Sequence, residues 1–201
     1  MKIGENQFHE HRMSKLVKGA VVPRPIAWVS SLSSGGVANL APFSFFTVAS
    51  MDPVTLCFSI GDGEREKDTL VNIRETETFI INLVTEQLAD QMHESSKNHS
   101  PDVDEFHAAG VESEPGDFVN VPRVKESPVH MECTLSQVVE VGSGHLVLGR
   151  LVGYHVRDDV YMDVDKIDPY KLKPVGRMAG DYTYVREFYS LPIGCMKQKK
   201  S

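Results

Sequence analysis

Apolar residues recur in short, strand-like runs through the first third of the chain. Residues 26–31 are predicted to form a strand, and the "SSGG" stretch at 33–36 predicts a tight turn after it. A second strand is expected to return through residues 39–50, and Asp52-Pro53 marks another turn before the apolar run "VTLCFSI". The pattern therefore predicts three short strands joined by turns as an antiparallel meander.

A helical period then replaces the strand pattern twice. Leu70 and Ile73 predict a short amphipathic helix that begins after Asp68, and Leu88 and Met92 predict a second one in "EQLADQMHESS". Between them, "FIINLVT" has the β-branched content of a buried strand. The chain thus continues as helix, strand and helix.

The last clear pattern is a long hairpin. Residues 97–127 are polar and interrupted by prolines, which predicts a long excursion with a short helix near Glu105. "VHMECTLSQVVEV" and "HLVLGRLVGYHV" follow, separated by "GSG", and form the clearest hairpin of the sequence. Strands dominate, so we predict one mainly β domain with α (α+β) over residues 1–201, a closed or nearly closed antiparallel barrel with two or three flanking helices. From Asp168 onward the pattern is mixed and predicts no firm element.

The composition of the chain limits the classes of function that it can have. The chain has 201 residues, 41% hydrophobic and 24% charged, which is typical of a globular protein, and its net charge of -7 argues against broad nucleic-acid binding. No apolar run approaches the roughly 18 residues that a membrane span needs. Cys57, Cys133 and Cys195 show no CxxC pairing, and the N-terminal stretch lacks an apolar secretory segment. We therefore expect reduced thiols and a cytoplasmic location.

The stretch "NLAPFSFFTVAS" at residues 39–50 mixes polar side chains with three phenylalanines. Such a surface suits a flat ligand with apolar faces and polar edges, such as flavin mononucleotide (FMN), whose phosphate also needs cations, hydroxyls or a helix N-terminus. Taken alone, each stretch also fits a structural interpretation, as strand hydroxyls or as a solvated charged turn. The candidate polar residues are Ser30, Ser31, Asn39, Ser44, Thr47, Arg65, Lys67 and Thr69.

A family resemblance supports the FMN interpretation. "RPIAWVSSLSSGGVANLAPFSFFTVASMDPVTLCFSI", followed by "KDTLVNI" and "FIINLV", resembles the flavin reductase-like, flavoredoxin-type family of FMN-binding split β-barrels. The similarity runs from Arg24 to Leu83 and continues in "GSGHLVLGRLVGYHV" and "PVGRMAGDYTYV". Most of the chain is therefore covered, in the family's order.

The resemblance implies a homodimer with FMN near the subunit interface, and hydride or electron transfer through the flavin. Ser30 and Ser31 are then expected near the phosphate or the ribityl chain, and Lys67 and Thr69 at the phosphate. Pro42 is expected to bend its strand so that backbone groups face the flavin edge. The residues expected to border the ring are Asn39, Ala41, Pro42, Phe43 and Ser44.

Two further residues have alternative interpretations. His145 follows "GSG", where the resemblance places it near the nicotinamide or the flavin face, while an exposed turn histidine is the alternative. Arg177 is expected to contact the cofactor, the partner subunit or an interface carboxylate. Hydride transfer to a flavin requires no protein nucleophile, so no catalytic residue besides His145 is predicted. The spacing of His93, His99 and His107 matches no metal motif, and no metal site is predicted.

The sequence leaves two functions open. One is an NAD(P)H-dependent flavin reductase-like oxidoreductase, with NAD(P)H bound transiently because no GxGxxG follows a strand. The other is a flavoredoxin-like FMN electron-transfer protein with little NAD(P)H turnover of its own. Free flavin, another small molecule and a redox partner protein are all open as electron acceptors.

Overall fold

The computed structural model describes residues 1–61, 63 and 65–190. Cys195, expected to be a reduced thiol, lies outside the described residues, whereas Cys57 and Cys133 are free cysteines as predicted. Among the described residues, no helix combines the length and the apolar character needed to cross a bilayer.

Strands account for most of the regular structure. In chain order they are β1 (Ala27–Leu32), β2 (Ala38–Phe43), β3 (Phe46–Met51), β4 (Val54–Gly61), β5 (Thr78–Leu83), β6 (Ser113–Pro115), β7 (Pro122–Val124), β8 (Val129–Val141), β9 (Gly144–Val156), β10 (Tyr161–Met162), β11 (Lys166–Ile167), β12 (Val175–Arg177) and β13 (Tyr182–Tyr184). The α-helices of the described residues are α1 (Met13–Ala20), α2 (Asp68–Thr76), α3 (Ala89–Glu94), α4 (Glu105–Ala109) and α5 (Pro169–Leu172), with 3₁₀ helices at Glu5–Glu10 and Glu86–Leu88.

Seven strands form one antiparallel sheet in the order β2-β1-β5-β8-β9-β4-β3. The sheet curls so that the end of β2 lies close to β4, with the ring centroids of Phe43 and Phe58 5.2 Å apart. Ser59 N in β4 donates a 2.8 Å hydrogen bond to Phe45 O, which extends the β3–β4 pairing toward the end of β2. Strands β2 and β3 do not pair, so the barrel is nearly closed and is split between them. The predicted mainly β fold with flanking helices is confirmed.

The predicted meander is wrong. Residues 39–50 form two strands at opposite edges of the sheet, because the chain bends at Ser44 and Phe45 and carries β3 across to pair with β4. Pro42 does not bend its strand, since it stays in register opposite Trp28. Leu40 turns its N–H to the outer side of β2, and Pro42, two residues on, faces the same side. A proline there loses no ladder hydrogen bond.

Other predicted elements are confirmed, namely α2 from Asp68, the buried strand β5, α4 at Glu105 and the β8–β9 hairpin. Helix α1 was not predicted. It buries no residue, and Arg24 connects it to the rest of the protein by donating to the carbonyls of Lys18 and Val21, both at 2.7 Å.

Two apolar cores pack against β1, one on each face of the strand. One fills the barrel around Phe58, Phe79 and Ile81, and the other packs Trp28 and Leu40 against α3 and α4. Trp28 also donates from Nε1 to Ser95 Oγ at 2.9 Å, which fixes the start of the loop after α3 against β1. That loop forms one wall of a cleft beside β2.

Candidate functional site

A cleft of about 680 Å³ lies beside the outer edge of β2. Three segments form most of its lining: β2, the turn that leads into α2, and the loop after α3. The lining residues are Asn39, Ala41, Pro42, Phe43, Gly63, Arg65, Lys67, Asp68, Thr69, Ser95, Ser96, Lys97, Asn98, His99 and Glu105.

The carboxamide of Asn39 is the centre of a buried hydrogen-bond network. Its Oδ1 accepts from Thr69 Oγ1 at 2.7 Å and from Ser31 Oγ at 3.2 Å, and its Nδ2 donates to Glu105 Oε2 at 2.5 Å. Asn72 Nδ2 donates to Ser31 Oγ at 3.1 Å. The network joins β1, β2, α2 and α4, and so fixes the back of the cleft.

The N-terminus of α2 opens into the cleft. Lys67 is its N-cap, and among the described residues no side chain caps the helix, which is nine residues long. Lys67 Nζ donates to Asn98 Oδ1 at 3.1 Å, and Arg65 contacts both Asp68, through Nη1 at 2.5 Å, and the carbonyl of His99, at 2.9 Å. Uncapped amides, the helix dipole and neighbouring cations together make a site that favours anions.

Glu105 brings a carboxyl group into the same wall. Its Oε2 accepts from the outward N–H of Leu40 at 2.6 Å, besides the bond from Asn39. Burial raises the pKa of Glu105 to about 7, although the Leu40 hydrogen bond and the charges of Arg65 and Lys67 act against that rise. This carboxyl group therefore changes its charge near neutral pH.

A separate cluster of ligand-bearing side chains serves a structural purpose. Asp117, Glu132 and His155 bring ligand atoms within 4.8 Å of one another. Both oxygens of Glu132 are already occupied, since they accept from the backbone amides of residues 117–119 and from His155 Nε2 at 2.6 Å. The buried carboxylate thus holds the 117–119 loop.

Comparison with known proteins identifies the family. Residues 19–170 match the family model described as flavin reductase like domain. The chain belongs to this family. A relative from Aquifex aeolicus is 39% identical over 176 residues, which cover 87% of this chain and 89% of the relative.

Solved structures agree over almost the full length. Nitrilotriacetate monooxygenase component B from Bacillus cereus has a TM-score of 0.90 and 30% identity, with 95% of this chain and 98% of that chain covered. The 2-nitrobenzoate 2-nitroreductase of Pseudomonas fluorescens has a TM-score of 0.85 and 29% identity, with 97% of this chain and 98% of that chain covered. These similarities confirm the predicted flavin reductase-like fold.

Part of the predicted set of site residues meets in the cleft of this flavin reductase-like chain. β2 brings four of them to one wall, and the turn before α2 brings the others to the opposite wall. The predicted residues that line the cleft are Asn39, Ala41, Pro42, Phe43, Arg65, Lys67 and Thr69. That each contacts a cofactor stays a prediction.

Ser30 and Ser31 do not line the cleft. Both are 0% exposed, because β1 is covered on both faces. Ser30 Oγ contacts Ile80 O and Asn82 Nδ2, and Ser31 Oγ contacts Asn39. Ser31 therefore supports Asn39 from behind, and the Ser30 hydroxyl bonds within the sheet. Contact of either residue with a phosphate or a ribityl chain stays a prediction.

Four other predicted residues do not line the cleft. Ser44 lies in the bend after β2, and Thr47 is exposed on β3. Arg177 places its guanidinium 4.4 Å from the ring centroid of Tyr182, and His145 pairs with Ile60 at the start of β9. Any contact of these four residues with a cofactor or a partner subunit stays a prediction.

Neither the wall formed by residues 95–99 nor Glu105 was predicted from the sequence to belong to the site. Both fall in or beside the stretch regarded as a polar excursion, yet "SSKNH" offers hydroxyl, amide, ammonium and imidazole donors directly after a helix. The Nε2 atom of His99 is buried and has no hydrogen-bond partner among the described residues. A concentration of donors in one loop was the signal that could have indicated an anion site.

We expect Glu105→Gln to raise the free energy of unfolding by about 1 to 3 kcal/mol near pH 8, with most of the gain lost near pH 5. Because the folded protein raises the pKa of Glu105, native stability is higher at low pH and decreases as the pH rises through about 7. Glutamine keeps an oxygen for Leu40 and Asn39 without a charge. Urea denaturation at both pH values measures the difference.

Glu94→Gln is the matched control for this prediction. Glu94 is a partly exposed carboxylate paired with Lys97 at 2.5 Å, and that pairing lowers its pKa. Removing its charge should give no gain at high pH. Equal gains for the two variants would contradict the assignment of the effect to burial of Glu105.

Proposed function

We propose that this chain is an FMN-binding oxidoreductase that accepts reducing equivalents from NAD(P)H and passes them to free flavin or another acceptor. The observation that supports the proposal is that one cleft contains both an apolar wall and a helix N-terminus with neighbouring cations. Family membership supports it, as do the two similar solved structures, a monooxygenase component and a nitroreductase.

The donors and the size of the cleft fit FMN. Its volume of about 680 Å³ lies within the range of roughly 300 to 1,000 Å³ that small-molecule sites occupy. Lys67, Arg65 and the uncapped first turn of α2 suit a phosphate, and the orphan Nε2 of His99 offers a further polar contact. Ala41, Pro42 and Phe43 give an apolar wall for a flat ring. His99 Nε2 is a buried polar atom without a hydrogen-bond partner among the described residues, which is a feature of functional sites.

Each part of the cleft has a separate task. The α2 N-terminus and Lys67 would hold the phosphate, and the wall of Pro42 and Phe43 would exclude water from one side of the ring. The Asn39 network keeps both walls at a fixed separation, which favours alignment of a hydride donor with its acceptor. Bound FMN would supply the hydride-accepting ring, so the chain needs no nucleophile of its own.

The absorption spectrum of the purified protein tests the proposal. We expect flavin bands, either as isolated or after addition of FMN, and loss of those bands when NADH or NADPH is added without oxygen. A colourless protein that takes up no FMN would refute cofactor binding. Bound flavin that NAD(P)H reduces only slowly would instead favour the FMN electron-transfer function.

Lys67→Ala should weaken FMN binding about tenfold to a hundredfold, since a hydrogen bond to a charged group contributes about 1.5 to 3 kcal/mol. Riboflavin, which lacks the phosphate, should bind the native protein and the variant equally. Quenching of flavin fluorescence measures both ligands.

Lys125→Ala is the matched control, because Lys125 is exposed and paired with Glu112. It should bind FMN as the native protein does. An unchanged FMN affinity in Lys67→Ala, or an equal loss for riboflavin, would contradict the phosphate assignment.

We also propose that a second copy of the chain covers the surface that we call the α1–β3 surface. It consists of the exposed apolar residues Leu16, Val17, Val21, Phe45, Val48 and Met51. Its two parts are adjacent, because Arg24 contacts the end of α1 and lies 5.8 Å from the Phe45 ring centroid. Phe45 follows the cleft residue Phe43 by two positions, so the surface borders the cleft. Large exposed apolar patches of this kind mark interfaces.

Replacing both Val48 and Met51 with lysine should convert a native dimer into a monomer. The two side chains are 53% and 74% exposed, so the folded monomer should tolerate the change while a partner would have to bury two ammonium groups. Sedimentation velocity measures the mass. Val164→Lys, at a position 82% exposed on a different segment, is the control and should leave the dimer intact. A native monomer, or a dimeric double variant, would contradict this interface.

A further inference from the structure

Glu105 lies where an anion bound in the cleft would meet a carboxyl group as well as cations. The residue is only 7% exposed, and its side chain crosses from α4 to the outer edge of β2. Both hydrogen bonds that the structure gives its carboxyl group end on Oε2, from Leu40 N and from Asn39 Nδ2. Oε1 is therefore the oxygen that can carry a proton without disturbing either bond.

The charges of the cleft balance a phosphate better when Glu105 is neutral. With His99 uncharged, the lining residues that the structure describes comprise three cations and two carboxyl groups. One positive charge is left over when Glu105 is ionised, and two when it is protonated. A phosphate monoester carries about -1.5 to -2 charges at neutral pH. The cations are Arg65, Lys67 and Lys97, and the carboxyl groups are those of Asp68 and Glu105.

The two carboxyl groups differ in how their charge is compensated. Asp68 accepts two hydrogen bonds from the guanidinium of Arg65, at 2.5 and 2.8 Å. Glu105 is buried and no cation of the described residues contacts it directly, so burial raises its pKa and its proton is held more strongly. A second anion in the cleft would strengthen that hold further.

We propose that Glu105 takes up a proton when the phosphate of FMN enters the cleft, so that cofactor affinity falls as the pH rises above neutrality. This inference rests on the proposed function and adds a regulation of the same site. Ionised Glu105 would place a negative charge beside the phosphate, whereas protonated Glu105 could donate from Oε1 to the ligand. Proton and cofactor binding are coupled reciprocally, as any two linked equilibria are.

Other charged groups around Glu105 must be separated from it in the test. His99 is a titratable side chain of the same lining, so its contribution is separated from that of Glu105 by substitution. Among the described residues, the titratable and charged side chains near Glu105 are Arg65, Lys67 and Asp68 at the start of α2, Lys97 and His99 in the loop after α3, Asp104 at the N-cap of α4 and His107 on α4.

The test is a titration of the native full-length chain with FMN from about pH 7 to about pH 8.5, a range in which the phosphate itself is already doubly ionised. Fluorescence quenching gives the affinity. Calorimetry in two buffers of different ionisation enthalpy counts the protons taken up, which requires no variant and no turnover. We expect affinity about tenfold weaker at the higher pH, with net proton uptake.

Variants show which residue causes the pH dependence of FMN affinity. Glu105→Gln, which keeps the acceptor for Leu40 and Asn39, should bind FMN with less than about a twofold change over that range and without proton uptake. Glu94→Gln and His99→Gln should keep the native pH dependence. Thermal unfolding of each variant confirms that it is folded.

Several results would overturn the inference. Native affinity that does not change with pH, a Glu105→Gln variant with the native dependence, or a His99→Gln variant without any dependence would each exclude the role of Glu105. These results leave the proposed function standing, because FMN still binds. Absence of FMN binding at every pH would instead refute the proposed function, and the inference with it.

Discussion

The hydrogen bonds between Glu105 and the outer edge of β2 are the constraint on which the cleft depends. A barrel that is split leaves the N–H groups of an edge strand without a partner. The Glu105 carboxyl group accepts from Leu40 N, and from Asn39 Nδ2 beside it. A buried donor left without an acceptor costs about 1 to 3 kcal/mol. The contact that completes the fold at its open edge therefore also forms the back of the site.

The same network decides which atoms can face a ligand. Thr69 Oγ1 donates its hydrogen to Asn39 Oδ1, and Ser31 Oγ donates to the same oxygen. Neither hydroxyl then has a hydrogen to offer an anion. The contribution of Thr69 to a phosphate site would come from its backbone amide in the first turn of α2. The ammonium group of Lys67 would supply a positive charge. The side chains at the back of the cleft position the walls, and the helix end and the cations are the groups that would face a bound phosphate.

Sequence patterns predicted what is local and missed what depends on distant contacts. The β8–β9 hairpin and α2 were predicted because their periodicity and their turn or cap residues are contiguous. The bend at Ser44 and Phe45 carries no such signal, because its consequence is a pairing of β3 with β4 on the far edge. Burial of Ser30 and Ser31 on both faces of β1 required knowledge of the second core. Asn39 and Glu105 meet across 66 residues of sequence, so no local pattern could join them.

The choice of a carboxylic acid at position 105 is informative in itself. A glutamine could accept the same bonds from Leu40 and Asn39 without the desolvation that raises the pKa of the glutamate. Above neutral pH, the folded protein with glutamate at this position is therefore less stable than it would be with glutamine. Asp68 shows the contrasting arrangement, since Arg65 compensates its charge directly. Functional sites are where a protein retains groups that reduce its stability, because a strained or poorly solvated group can respond to a ligand. Glu105 meets that description, because it is buried, has no cation in direct contact among the described residues and lies in the wall of the candidate cleft.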